Sequence, residues 1–360
     1  MAAAAPLVAT IGLSLLVSAC GGGDGGGGGK TIGLLLPESH TARYESQDRP
    51  GFTNKVKDLC SDCKVLYSNA GEDASRQQQQ AEAALTKGID VMVLDPVDAG
   101  SAGAIVKKAK QQDVPVISYD RLITNSDIDY YVSYDNAKVG ALQGTALLNK
   151  LKSEGKDKGT IVMINGDPAD NNAKLFKKGA HSIFDKSGLK VGKEYDTPGW
   201  LGSNAQREME QAITALGNTG FVGVYAANDT TAGAAIAAMK NAGIKPSTRP
   251  TTGQDAELAG VQRILAGDQF MTVYKDLKFE AEDAAQLAVD VAKGDTPSSD
   301  LVKDKTDNGQ KSVPSVLRKP VAVTKDNIKD TIIKDGFWSP KQICTKAYAS
   351  ACKSAGISGS

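Results

Sequence analysis

From residue 31 onward, short apolar runs alternate with amphipathic stretches. Residues 31–36, 64–68, 90–94 and 114–118 are runs of strand length, the first ended by Pro37 and the third followed by Asp95-Pro96. Between them, residues 75–87 open on a good capping residue and stop at Gly88. Residues 100–112 place Ile105, Val106 and Ala109 on one helical face. The spacing predicts β-α-β-α with strands apolar throughout, the mark of a parallel sheet covered on both faces. The rhythm restarts after Tyr134. Helices are predicted at 136–151, 172–187, 204–216, 230–241, 257–265 and 277–293. Strands are predicted at 160–164, 221–226 and 271–275, with a weak one at 250–253. A strand at 320–323 and a helix at 325–334 follow, and the polar stretch 294–311 reads as a loop. The whole predicts two similar α/β halves, without the repeat of a solenoid.

The first thirty residues break this pattern. Residues 7–19 are apolar but too few to span a bilayer, and suit the core of a signal peptide. They end in Val17-Ser18-Ala19-Cys20, which resembles the lipobox of bacterial lipoproteins, although no Lys or Arg precedes the core. That resemblance implies lipidation of Cys20, with residues 1–20 a signal peptide. Residues 21–29 are glycine apart from Asp24, so 21–30 reads as a flexible tether. The folded part is expected outside the cytoplasmic membrane, touching that membrane only through its lipid anchor.

The chain has 360 residues, enough for two domains. Lys plus Arg and Asp plus Glu both number 42, which removes the electrostatic case for nucleic acid and suits a neutral ligand. Apart from Cys20, the cysteines fall in two close pairs, Cys60 with Cys63 and Cys344 with Cys352. In an exported chain these read as local disulfides. A CxxC also serves redox and zinc sites, but there is no second CxxC, and the histidines are His40 and His181 alone. No metal or cofactor is expected.

Ligands of open α/β sheets bind beyond the carboxyl ends of the strands. Here nearly every strand delivers a polar residue to that rim. The first leads to Arg43, Tyr44, Asp48 and Arg49, and the fourth to Tyr119-Asp120-Arg121. Later strands end in Ala227-Asn228-Asp229, Gly253-Gln254-Asp255 and Lys275. Turn formation and helix capping account for Asp98, Asp229 and Asp326. They do not account for Arg43, Arg121 and Lys275, nor for Tyr44 and Trp200. Carboxylates accept, Arg and Lys donate, and an amide does both, which matches sugar hydroxyls; the C–H face of a sugar ring lies on an aromatic.

In this order, several segments closely resemble the type I periplasmic sugar-binding proteins of ABC importers, and within them the D-xylose-binding proteins. They are Arg43-Tyr44, Tyr119-Asp120-Arg121, Ser133 to Gly140, Asp170 to Phe176, Gly199-Trp200, Ala227 to Gly233, Gly253 to Ala256 and Met271 to Lys275. The resemblance covers residues 30–338. It implies the type I periplasmic binding protein fold, an α/β architecture of two similar doubly wound parallel-sheet lobes joined by three hinge crossovers. These crossovers are expected near Asp135-Asn136, near Lys275-Asp276 and before Pro320. One lobe then takes 31–135 with 276–319, the other 136–275 with 320–338, and 339–360 is a tail with a disulfide. The implied sugar contacts are Arg43, the stacking Tyr44, Asp120, Arg121, Asn172, the stacking Trp200, Asn228, Asp255 and Lys275, with Asp135 and Asn136 bordering the site at a hinge. A monomer partnered by an importer permease is expected.

Three rival functions share parts of this pattern. A repressor effector domain of the same fold would carry an N-terminal helix-turn-helix, where this chain has a signal-like segment. A sensor presenting sugar to a signalling receptor is compatible with import. A glycoside hydrolase needs a carboxyl able to act as an acid, and a Schiff-base enzyme needs a neutral lysine. Arg121 beside Asp120 and carboxylates around Lys275 argue against both.

Overall fold

The computed structural model describes residues 1–3 and 29–357. Cys20, most of the expected signal peptide and most of the tether lie outside the described residues.

The first half supplies β1 (Thr31–Leu36), β2 (Lys64–Asn69), β3 (Val91–Leu94), β4 (Val116–Tyr119) and β5 (Tyr130–Tyr134). The remaining strands are β6 (Thr160–Ile164), β7 (Lys190–Tyr195), β8 (Gly223–Ala226), β9 (Met271–Tyr274), β10 (Asp304–Asp307), β11 (Ser312–Arg318) and β12 (Val321–Thr324). One seven-stranded sheet has the order β10-β11-β5-β4-β3-β1-β2. Its strands pair in parallel except for the antiparallel β10–β11 edge. A second layer has the parallel order β7-β6-β8, and single bridges at Thr251 and Gln254 carry it on to β9 and its antiparallel partner β12. The fold is the two-lobed, type I periplasmic binding protein architecture. The chain leaves the first sheet after β5, returns after β9, and leaves again between β11 and β12.

Helices cover both sheets, as nearly continuous apolar strands require. The first sheet carries α1 (Arg49–Leu59), α2 (Ala74–Thr86) and α3 (Gly103–Lys110). The second carries α4 (Asn136–Ser153), α5 (Asn171–Phe184), α6 (Gly202–Leu216), α7 (Asp229–Asn241) and α8 (Leu258–Ala266). The long α9 (Leu277–Lys293) returns to the first sheet and packs against α1, burying Ala281, Ala284 and Ala285 with Phe52 and Val56. Two short helices, α10 (Pro340–Ile343) and α11 (Ala349–Ser354), close the tail. Asp73, Asp135 and Asp170 cap α2, α4 and α5 by accepting from backbone N–H groups. Gly267 and Gly294 end α8 and α9 in the left-handed conformation. Gly140 lets α4 and α5 touch: a Cβ there would stand 1.8 Å from the Phe176 carbonyl oxygen. That contact fixes the helix bearing Asn172 and Phe176.

The structure differs from expectation in several places. The stretch 294–311 is not wholly loop, because β10 lies within it and β11 follows. β7, α1 and the turn at Tyr44–Asp48 also add to the expected elements. The weak strand at 250–253 amounts to one bridge, Val224 to Thr251. The helix expected at 325–334 is a single wide turn, Lys329–Ile333. Asp229 is not the cap of α7. Asn228 is: its side chain accepts from Thr231 N–H while Thr231 returns the bond. Asp229 is instead fully buried. It accepts from Gln269 Nε2 at 2.6 Å, Thr272 Oγ1 at 3.0 Å and the Glu257 N–H at 2.9 Å.

Disulfides join Cys60 to Cys63, after α1, and Cys344 to Cys352, in the tail. No helix among the described residues is long and apolar enough to cross a membrane.

Candidate functional site

The strand ends of both lobes open on one small cavity. From the first lobe, the chain after β1 brings Thr41, Arg43 and Tyr44, and the end of β4 brings Asp120 and Arg121. From the second, the start of α5 brings Asp170, Asn172 and Phe176, and the turn after β7 brings Trp200. Asn228 follows β8, Gln254 and Asp255 precede α8, and Lys275 follows β9. All nine expected contacts thus face the same space. Asp135 does not: it is exposed at the start of α4 and accepts from Lys138 N–H. Asn136 is buried behind the lining, where its amide donates to Asn172 Oδ1 at 2.9 Å.

Arg43 shows how the site is held. A guanidinium has five N–H donors. Nε and Nη2 donate to the two oxygens of Asp48, at 3.0 and 2.7 Å. Nη2 also donates to Glu280 Oε2 at 3.0 Å, and Nη1 to Asp120 Oδ1 at 3.1 Å. One Nη1 hydrogen is left for a ligand. Arg43 also lies over the Tyr44 ring, 5.1 Å from its centroid. Asn228 is organised likewise: Oδ1 caps α7, leaving the amide N–H₂ free.

Across the cleft, Arg121 Nε of the first lobe meets Asp170 Oδ2 of the second at 3.2 Å. Asn172 Nδ2 donates to the Asp120 carbonyl at 3.0 Å. Lys275 Nζ stands 3.0 Å from Asp255 Oδ1 and 3.8 Å from Asp120 Oδ1. Trp200 donates through Nε1 to Asp170 Oδ2 at 3.2 Å, and its ring meets Phe176 edge to face at 6.5 Å. Gly166 makes room for that indole, since a Cβ there would lie 2.0 Å from Cη2. Asp120, Trp200 and Asp255 all have positive φ, at 52°, 53° and 82°. Backbone strain of this kind concentrates at binding sites, where surrounding bonds over-determine it.

The lining charges balance, with Arg43, Arg121 and Lys275 facing Asp120, Asp170 and Asp255. Burial alone would raise the Asp120 carboxyl, but Arg43, Lys275 and then Arg121 hold it below its ordinary range. Burial works against the Lys275 ammonium, yet Asp255 and Asp120 push its pKa up. Neither group is poised for proton transfer or covalent attack. The arrangement offers fixed donors, acceptors and aromatic faces to an uncharged polyhydroxyl molecule.

Sequence reasoning did not single out Asp170 as a contact, nor Thr41, Phe176 or Gln254. Asp170 and Gln254 stood inside quoted motifs, and Phe176 lies one helical turn after Asn172.

Comparison with known proteins agrees. The family described as periplasmic binding protein domain matches residues 32–296. The D-xylose-binding periplasmic protein of Escherichia coli K12 is 39% identical over 316 residues, covering 87% of this chain and 92% of that one. The D-xylose-binding periplasmic protein of Haemophilus influenzae is also 39% identical, covering 87% and 91%. An ABC transporter solute-binding protein of Clostridium phytofermentans, solved with bound β-D-glucose, superposes with a TM-score of 0.79 at 31% identity. It covers 87% of this chain and 100% of that one. The chain belongs to the periplasmic binding protein family, among the extracytoplasmic sugar-binding proteins of ABC importers, which bind and deliver their ligand rather than transform it.

Proposed function

We propose that the protein captures D-xylose by closing its two lobes on it and presents the closed form to an importer permease. The sugar contacts are Arg43, Tyr44, Asp120, Arg121, Asn172, Trp200, Asn228, Asp255 and Lys275, with Asp170 and Phe176 added to them. The observation that carries this reading is the meeting of all nine sequence-derived contacts, from both lobes, around one charge-balanced cavity. The D-xylose-binding relatives at 39% identity favour xylose among aldoses. A sugar that touches both lobes adds contacts existing only when they are together, so it must favour closure. On this reading the protein works as a monomer, held near its permease by a lipid on Cys20.

Calorimetry against a panel of pentoses and hexoses tests it. One-to-one binding is expected, tightest for D-xylose. A clear preference for D-glucose would replace the sugar, and no heat from any sugar would overturn the reading. The anchor is tested separately. The precursor expressed in a bacterial host should partition into detergent, and its Cys20→Ser variant should not.

A further inference from the structure

The carboxylate of Asp255 is carried on a backbone that resists its own conformation. Asp255 and Ala256 are consecutive non-glycine residues with φ of 82° and 48°. Both lie in the left-handed region, unfavourable for any residue with a Cβ. Four hydrogen bonds hold them there. The Asp255 N–H donates to the Val273 carbonyl at 2.9 Å, and the Ala256 N–H to Thr272 Oγ1 at 3.2 Å. The Glu257 N–H donates to Asp229 Oδ2 at 2.9 Å. These three partners belong to elements beside the site. The fourth comes from the far end of the chain: Trp338 Nε1 donates to the Ala256 carbonyl at 2.8 Å.

Trp338 is itself well braced. Its ring meets Phe337 edge to face at 5.4 Å, and Phe337 meets Tyr274 at 5.2 Å, beside Lys275. Immediately beyond it, Ser339 caps α10, and Gln262 of α8 donates to the Ile343 carbonyl at 3.1 Å. The Cys344–Cys352 disulfide then closes the tail, whose Ile343, Cys352 and Ile357 pack in one cluster with Ala256, Val261 and Leu265.

We infer that Trp338 is a positioning residue for the sugar site: its indole N–H holds the Ala256 carbonyl so that the Asp255 carboxylate is fixed beside Lys275 before sugar arrives. This rests on the reading of Asp255 as a sugar contact. Without the bond, the 255–256 pair can relax toward negative φ, and binding must then restore the strained form. Glycine at 256 takes positive φ without a Cβ penalty, so it substitutes for the strap.

The test is calorimetry with the tightest-binding sugar of the panel, D-xylose being expected, on four proteins: wild type, Asp255→Ala, Trp338→Phe, and Trp338→Phe with Ala256→Gly. Thermal unfolding of each is run alongside. Trp338→Phe keeps an aromatic ring but removes the donor, together with part of the indole's volume, whose packing cost the thermal unfolding reads. It should weaken binding by about five- to tenfold, the worth of one lost hydrogen bond. Adding Ala256→Gly should regain most of that affinity without regaining thermal stability, which a merely structural role for Trp338 would not do. Asp255→Ala binding like wild type, or no binding of any sugar, would overturn the site assignment and this inference with it. Asp255→Ala weak but Trp338→Phe unchanged, or a double variant no tighter than the single, would overturn the inference alone.

Discussion

Arg318 grips Asp276 through Nε, at 2.8 and 2.9 Å from its two oxygens, and so joins the third crossover of the chain to the second. Tyr134, at the first crossover, donates to the same carboxylate at 2.8 Å. One side chain therefore ties all three hinge segments, one residue away from the proposed contact Lys275. Asp276→Asn removes the charge that both partners share. It should lower the unfolding free energy by about 1.5–3 kcal/mol, the range for hydrogen bonds to charged groups, as read by urea titration. It should also widen the unliganded conformations seen by small-angle X-ray scattering, while saturating sugar still compacts the molecule. An unliganded profile identical to wild type would remove the hinge role.

Asp229 and Asp255 separate stability from binding. Asp255→Ala should leave the fold intact and weaken sugar binding by about 2–4 kcal/mol, because it also leaves Lys275 without its nearer partner. Asp229→Ala strands Gln269, Thr272 and the Glu257 N–H inside the second lobe. It should cost about 2–4 kcal/mol of stability with little direct effect on sugar in the fraction that remains folded. Denaturant titration with calorimetry on both variants checks this; loss of binding in a well-folded Asp229→Ala would reverse the roles.

Binding should weaken as pH rises through neutrality. Glu72 follows β2 on the first lobe and faces Glu38 and Arg121 there, and Asp167 and Asp170 across the cleft. Burial pushes its carboxyl up to about 7; Arg121 opposes, and the three neighbouring carboxylates add to the rise. Opening the cleft returns Glu72 toward solvent and its ordinary, lower value. Closing therefore takes up a proton. The closed state gains from this at low pH, and the gain is lost as pH climbs through about 7. The Kd of wild type should rise between pH 6 and 8 and that of Glu72→Gln should stay flat. Equal slopes would exclude Glu72 as the source.

The two disulfides should differ in worth. On loop-entropy grounds the Cys344–Cys352 link, eight residues apart, is worth about 2.5 kcal/mol, and the three-residue Cys60–Cys63 link somewhat less. Cys344→Ser with Cys352→Ser should fray α11 and raise hydrogen exchange across 339–357. Unchanged exchange there would show that Ile343 and Ile357 alone secure the tail.

What the sequence revealed follows the strength of its physical signals. β1, β6 and α9 were legible to the residue, because buried parallel strands and a strongly amphipathic helix write continuous or periodic apolar patterns. β10 was not, since Asp304, Lys305, Thr306 and Asp307 form a charged edge that shields the sheet. Pro314 masked β11, yet the parallel pairing with β5 begins only at Ser315, so the missing N–H costs no bond there. In the site, charged and aromatic residues stood out because capping could not explain them. Asp170 was hidden because it does cap α5, while its second oxygen reaches Trp200 and Arg121. Asp135 shows the converse, a residue of a quoted motif whose side chain only caps a helix.

Because β11 lies between β10 and β5, Ser315 pairs with Tyr131 across the whole intervening second lobe. A ribosome delivers β5 long before β11, so the nascent chain must carry an unfinished sheet edge while β6 to β9 are still being made. Pairings so distant in sequence form slowly. The first sheet is therefore completed only after β6 to β9 of the second lobe have been synthesised.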